Sequence, residues 1–247
     1  MKKALLAVLA IALVIGFAGC SWFQKGSPYY PLAEGNKWEY SGTSKTIMDY
    51  PEGMDDIEIT VNTTVVSEVM ALEETTGDEP IEVWKIKTIL TVDVEDVDPT
   101  TSYSYVDADK DYIYFYKDLD ATEEWYKIPS KPDKDDTWTT EIMTITETID
   151  PETGDTLVDT TYFKTNYTVV ETGVEAFGDY TDCLKIEAKP EDYGDYDSHE
   201  SFDYWAKDVG TVMSKFKWVI TRPFDEENTF TMTAEGETKL TKFTEGE

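Results

Sequence analysis

The chain is poor in the residues from which most enzyme and nucleic-acid sites are built. Its 247 residues include two cysteines, Cys20 and Cys183, one histidine, His199, and one arginine, Arg222. Zinc-type metal centres draw on several His or Cys ligands, and that supply is lacking. Binding to a nucleic-acid backbone rests on counterion release by a Lys/Arg face, so nucleic acid is not expected as a partner. There is no glycine-rich phosphate loop and no G-x-S-x-G nucleophile elbow. Beyond residue 20 no segment of ten or more residues carries a helical stripe, and the one long apolar run is Ala4 to Phe17. The expectation is a β-rich, non-enzymatic protein with no catalytic, cofactor-binding or metal-ligating residue.

The apolar run reads as an address. Lys2 and Lys3 precede it, it is too short to span a bilayer, and small residues and a cysteine follow directly, which is the pattern of an export signal. Phe17-Ala18-Gly19-Cys20 resembles the lipobox of bacterial lipoproteins, in which a large apolar residue, two small residues and a cysteine are read by a lipoprotein-specific peptidase. Phe17 stands where the family prefers Leu. Gly16 and Ala18 would also suit an ordinary secretory site cleaved after Ala18. The lipobox resemblance implies removal of residues 1–19 and a mature N-terminus at Cys20, carrying a thioether-linked diacylglycerol and often an amide-linked acyl chain such as palmitate. At about 0.8 kcal/mol per buried methylene, two or three chains hold a protein on a membrane where one would not. Ser21, where many inner-membrane lipoproteins carry Asp, points to the outer membrane in a cell that has one. Residues 20–31 then read as a lipidated tether broken by Gly26, Pro28 and Pro31, and residues 32–247 as a single β domain. With Cys20 committed to lipid, Cys183 has no intramolecular disulfide partner. Its alternating apolar surroundings mark it as a small core residue.

Without residues 1–19 the chain holds 52 acidic and 19 basic residues. That excess disfavours direct electrostatic binding to anionic lipid and leaves the acyl anchor as the membrane link. The bland meaning of the charge is a solvated extracytoplasmic surface. Seven Trp, 16 Tyr and 10 Phe place the chain outside the disordered class and supply a core.

Period-two patterning dominates. Ile57, Ile59, Val61 and Val65 alternate with Glu58, Thr60, Asn62 and Thr64; Trp84, Ile86, Leu90, Val92 and Val94 share a second face; Ile113 and Phe115 alternate with Tyr112, Tyr114 and Tyr116. Gly, Pro and Asp mark turns at residues 50–53, 76–80, 150–155 and 193–195. The pattern predicts an all-β, antiparallel, strongly curved sheet or partial barrel with one buried face. A repeat runs through it. Trp38 and Trp138, and Trp84-Lys85-Ile86 and Leu184-Lys185-Ile186, match at a spacing of 100, and the run from Asn62 echoes the run from Asn166 at 104. This reads as two similar β-units in tandem with a boundary near residue 125, and it predicts equivalent buried places for Trp38 and Trp138.

The segments Tyr30-Pro31-Leu32-Ala33-Glu34-Gly35-Asn36-Lys37-Trp38-Glu39-Tyr40, Asp182-Cys183-Leu184-Lys185-Ile186 and Tyr204-Trp205-Ala206-Lys207-Asp208-Val209-Gly210-Thr211-Val212 resemble a family of uncharacterised bacterial lipoproteins. Members share a Pro-Leu…Gly-Asn-x-Trp-x-Tyr opening and a late aromatic-Ala-x-x-Val-Gly-x-Val strand. The resemblance implies an antiparallel β-sheet curved into a partial barrel and brings no established activity.

Three remaining features invite a chemical reading. His199, between Ser198 and Glu200, reads as a loop residue. Asp107, Asp109 and Asp111 alternate as in the opening of a calcium loop, but Tyr112 stands where the EF-hand needs glycine and Asp118 replaces its bidentate glutamate, leaving an acidic hairpin. Tyr103, Tyr105, Tyr112, Tyr114, Tyr116, Trp125 and Tyr126 could line a groove for sugar or acyl chains, or simply cover the core and the sheet face. The expected role is that of a lipid-anchored envelope protein with a binding or structural function. A half-barrel carrier of an apolar ligand is the alternative, and a glycan-acting hydrolase a distant one.

Overall fold

A computed structural model describes residues 27–51, 53–76, 80–116, 118–120, 124–149, 156–191, 197–224 and 228–246. The export signal, Cys20 and the first part of the tether lie outside the described residues, as do the turns at 150–155 and 193–195. Twelve strands form: β1 (Lys37–Asp49), β2 (Ile57–Glu74), β3 (Glu82–Val92), β4 (Thr100–Ala108), β5 (Tyr112–Tyr116), β6 (Tyr126–Pro129), β7 (Thr137–Ile149), β8 (Thr156–Val174), β9 (Cys183–Pro190), β10 (Ser198–Ala206), β11 (Gly210–Pro223) and β12 (Thr229–Thr244). There is no helix among the described residues.

The strands make one antiparallel sheet in the order β6-β5-β4-β3-β2-β1-β12-β11-β10-β9-β8-β7. β1 binds both β2 and β12, and this joins two six-strand meanders. The end strands β6 and β7 come back against each other without a hydrogen-bonded ladder, so the sheet is a nearly closed barrel with a seam. Alternation decides which face is inside. On β1, Trp38, Tyr40, Ser44, Thr46 and Met48 are buried while Ser41, Thr43 and Asp49 are exposed. Gly42 keeps this inner row passable: a Cβ there would collide with the Thr63 and Thr238 hydroxyls. Gly236, directly opposite Ser44 on β12, lies under the Phe216 ring in the same way.

The repeat is visible in the pairing. Val69 faces Ile86 and Val169 faces Ile186; Leu72 faces Trp84 and Thr172 faces Leu184. Each unit has a bulge at the same step, between Val69 and Ala71 and between Val169 and Glu171. Each also has the same left-handed turn before its first strand, at Gly35 (φ 85°) and Asp135 (φ 71°), whose amides donate to the carbonyls of Val69 and Val169 at 2.9 Å. All of these matches are 100 residues apart. The echo between Asn62 and Asn166 is therefore four residues out of step: Val169 corresponds to Val69, not to Val65. The two meanders meet between Pro129 and Thr137, a few residues after Trp125.

One end of the barrel is packed shut. Ser27–Pro31, expected as tether, folds back onto this end. Tyr30 is 1% exposed and meets the Trp205 ring edge-on at 5.2 Å, while the Ser27 hydroxyl donates to the Ser130 carbonyl between β6 and β7. Trp38 reaches past β12 to donate from Nε1 to the Val209 carbonyl at 2.7 Å, and the Tyr40 hydroxyl does the same to Thr211 at 3.0 Å.

Trp38 and Trp138 hold equivalent strand positions, opposite Ser67 and Tyr167, yet they are not equally buried. Trp38 is 1% exposed, whereas Trp138 is half-buried and stacks on Tyr167 at 5.4 Å. Trp38→Ala should cost about 3–5 kcal/mol and Trp138→Ala clearly less, a difference that urea denaturation will resolve.

Candidate functional site

The barrel offers three places where chemistry could be done: its inner rows, the outer face of β10–β11–β12–β1, and the outer face of β3–β6. Halfway up the inner wall small and hydroxylated residues are mixed with apolar ones. One row reads Thr63, Gly42, Thr238, Ser214 and Asp203 across five strands, and the next reads Val61, Ser44, Gly236, Phe216 and Ser201. Ser214 donates to Asp203 at 2.6 Å, whereas the buried hydroxyls of Ser44, Thr46, Thr63 and Thr140 have no protein partner.

His199 belongs to this interior. It is not a loop residue: it lies in β10, paired with Trp218 on β11. Burial is the main influence on its ring and disfavours the imidazolium; Glu187 opposes this and Lys189 adds to it, so its pKa lies below the usual 6.5. Ser198 is its neighbour along the strand and points to the opposite face, so the pair does not form a nucleophile and base. Cys183 is likewise a core residue. Burial pushes its thiol pKa up, and Sγ donates to the Tyr180 carbonyl at 3.7 Å.

On the outer face of β10–β11–β12–β1 there is a shallow, open depression of about 460 Å³. Its floor is a charge ladder: Lys45, Glu235, Lys217 and Glu200 form one cross-strand row, and Thr43, Glu237, Lys215 and Phe202 the next. Lys217 meets Glu235 at 3.0 Å and Lys215 meets Glu237 at 2.8 Å, and Lys239 also pairs with Glu237. Burial opposes the ionised form of Glu237, but its two lysines win and hold the carboxyl below its usual range.

The outer face of β3–β6 is different. Tyr103, Tyr105, Tyr112, Tyr114 and Tyr116 stand on the side opposite the buried Val106, Ile113 and Phe115. They form an outward face instead of a groove, although Tyr116 itself is buried at 9% exposure, while Tyr126 joins the core. Two lysines are set among them. Lys85 Nζ lies 5.1 Å from the Tyr103 ring and 5.9 Å from Tyr105, and Lys127 Nζ lies 5.1 Å from Tyr112 and 5.8 Å from Tyr114. Each is also paired with an acid, Glu73 at 2.9 Å and Glu124 at 3.6 Å. Tyr103 is 50% and Tyr112 41% exposed.

The acidic hairpin closes one border of this face. Asp109 Oδ1 accepts from the amides of Asp111 and Tyr112, both at 2.7 Å, and Oδ2 accepts from the Tyr114 hydroxyl at 3.0 Å. Burial works against its charge, but these three donors prevail and lower its pKa. Asp107 accepts from the Ala108 amide at 2.8 Å. The carboxylates that alternate in sequence thus shape a turn. Among the described residues no group of three His, Cys, Asp or Glu could hold a metal ion. Burial and the neighbouring acids push Tyr114 and Tyr116 up to about 12, so both stay neutral phenols in any ordinary medium. The separate residues of this face were legible as a tyrosine-rich stretch, but Lys85 and Lys127 were missed, because only cross-strand register brings them in.

The half-buried His199 links pH to stability. Its pKa is lower folded than unfolded, so the unfolded chain takes up the proton more readily. This contribution is complete above about pH 6.5 and is lost as pH falls below it. Melting temperature should drop more steeply below that pH in the parent than in His199→Gln, and the single imidazole resonance should titrate below 6.5 in proton NMR. Comparison with known proteins finds no matching family model, no matching curated protein and no matching solved structure.

Proposed function

We propose that this chain is a lipid-anchored, non-enzymatic protein of the bacterial cell envelope that binds an extended partner through the tyrosine–lysine face of β3–β6. The barrel-like β fold is compatible with a binding or a carrier role. What supports binding is the outward face itself: two lysines among tyrosines on adjacent strands, with Tyr103 and Tyr112 exposed, Tyr105 and Tyr114 half-buried and Tyr116 buried. Tyrosine supplies amphipathic contact area at small entropic cost, which suits recognition of an extended polymer across a flat surface. A carrier of apolar ligands needs an enclosed apolar cavity. Here hydroxyls and Asp203 interrupt the mid-height inner rows beside Val61 and Phe216, and the depression of the outer wall is open and lined by charge. A hydrolase acting on glycans needs two carboxylates facing each other across a cleft; in that depression Glu235 and Glu237 are tied to lysines and Glu200 lies on the same sheet face opposite Lys217.

The anchor rests on the Lys2-Lys3 start, the apolar run and Phe17-Ala18-Gly19-Cys20. Ser21 favours the outer membrane where one exists. Cys20→Ala should abolish both incorporation of a clickable fatty acid and retention in the membrane fraction; a parent protein that takes up no label and fractionates as soluble would refute the anchor.

The binding face has its own test. Tyr103→Ala combined with Tyr112→Ala should lose about 2 kcal/mol of binding, or about 30-fold in affinity, towards isolated envelope polysaccharide in a co-sedimentation titration. Melting temperature should hardly move, since both rings are largely exposed. A parent that does not sediment with the polysaccharide removes the glycan as partner, and a double variant that binds as well as the parent removes the face.

A further inference from the structure

The two meanders match at a spacing of 100 residues, but the strands that flank their first members do not. β12, of 16 residues, pairs with β1 along its whole length from Lys37 to Asp49. Its counterpart beside β7 is β6, which has 4 residues and makes no ladder with β7. Four residues, leading through a short turn into Thr137, can flank only the first part of a 13-residue strand. From Glu141 to Ile149, no strand among the described residues pairs with the outer edge of β7. On the other side, the ladder between β8 and β9 ends at Thr165 and Pro190, with one further bond from the Glu191 amide to the Lys164 carbonyl. The far half of the β7–β8 hairpin is thus a two-stranded ribbon, which on its own is marginal in water. Of the usual guards of an edge strand β7 carries only charge, at Glu141 and Glu147. It has no proline and no lysine, whereas β6 has Lys127 and Pro129 within 4 residues.

We propose that a second copy of this chain pairs with β7 along Glu141–Ile149, β7 against β7, to form a two-fold dimer. The β1–β12 ladder shows that the place beside a unit's first strand is filled by an antiparallel neighbour. A two-fold axis normal to the sheet supplies such a neighbour of equal length, and it completes both ribbons at once as a four-stranded sheet. An isologous contact uses up the β7 edge of both copies, so this pairing closes on itself as a dimer. Residues opposite each other in an antiparallel ladder share a sheet face, so the axis passes through a residue position. Centring it on Thr144 would set Glu141 against Glu147. Centring it on Ile145 uses the whole free stretch and places Glu141 opposite Ile149 and Met143 opposite Glu147. The chain's net charge of −31 opposes the approach of two copies, so salt promotes pairing. Neither the lipid anchor nor the tyrosine face enters this pairing.

The test is the mass of the full-length chain in detergent, measured by light scattering with the detergent contribution subtracted, as sodium chloride rises from about 0.1 M to about 1 M. The parent should double its mass as salt rises. Ile145→Lys sets lysine against lysine on the axis and should hold the single-chain mass. Met143→Lys sets lysine against Glu147 of the second copy and should double its mass at lower salt than the parent. Ile145→Cys should form a covalent dimer on mild oxidation that the parent, with the same native cysteines, does not form. A parent of single-chain mass at every salt, an open-ended assembly, a dimer that survives Ile145→Lys, or equal loss in both lysine variants overturns the proposal.

Discussion

Closing a twelve-stranded sheet without hydrogen bonds at its seam is the constraint on which the rest of this structure depends. The ends of the sheet meet as β6 and β7, and aromatic packing at one end of the barrel takes the place of the missing ladder. Trp138, on the seam strand, stacks on Tyr167 and touches Trp205 at 5.8 Å; Trp205 in turn receives Tyr30 from the segment before β1. The bond from Ser27 to the Ser130 carbonyl ties that segment to the turn between the two strands that meet there. Large rings suit this task because they bury wide apolar area without needing a strand register, which a seam cannot provide. The core follows from the closure. Val106, Val169, Cys183, Ile186 and Val212, all fully buried, belong to the same cluster as these rings.

Strand identity was largely legible, because the alternation of β-branched and polar residues is a local signal. The buried Val61, Val65, Ile86, Leu90, Ile113 and Phe115 all lie on the face that alternation assigns to them. The repeat was legible where it rests on tryptophan and on the Lys-Ile pair, and it slipped by four residues where it rests on threonine and valine, which recur too often in β-strands to fix a register. The burial of Tyr30 was hidden. A segment with Gly26, Pro28 and Pro31 reads as a linker, and only the position of Trp205, 175 residues further on, makes it a plug. His199 was misplaced for a related reason: Asp197, Ser198 and Glu200 are turn-like neighbours, while the partner that keeps it in a strand, Trp218, comes from β11.

The site was legible in kind but not in geometry. Sequence shows five tyrosines close together, yet whether they look inward or outward depends on the register of β4 against β3 and β5. The pairs Lys85 with Tyr105 and Tyr114 with Lys127 decide it. Lysine cannot face the core unpaired, so the tyrosines that share its side are turned outward, even where, as at Tyr116, neighbours cover the ring. The same register explains how so acidic a chain contains a nearly neutral region. On β1, β11 and β12 the lysines and glutamates face each other row by row, whereas acids in turns such as 107–111 and 133–136 accept mainly from backbone amides. Exposed pairs of this kind contribute little stability each, about 0–1 kcal/mol, so their consequence is a pattern of charge and not a tighter fold.

On the proposed reading, that pattern places recognition on the outside of the barrel. An interior built to hold a ligand would keep wide, apolar inner rows; here Gly42 and Gly236 are crowded by Thr63, Thr238 and Phe216, and side chains already fill the space that glycine leaves. The internal repeat leaves the outer surfaces free to differ. Two copies of one meander share bulges and turns, because these follow from backbone geometry, but no packing constraint keeps their outer side chains alike. The first copy could therefore accumulate tyrosines on β4 and β5 while the second set phenylalanine and lysine on β10 and β11. The inner face holds the two halves to one plan, and the outer face is free to carry what distinguishes them.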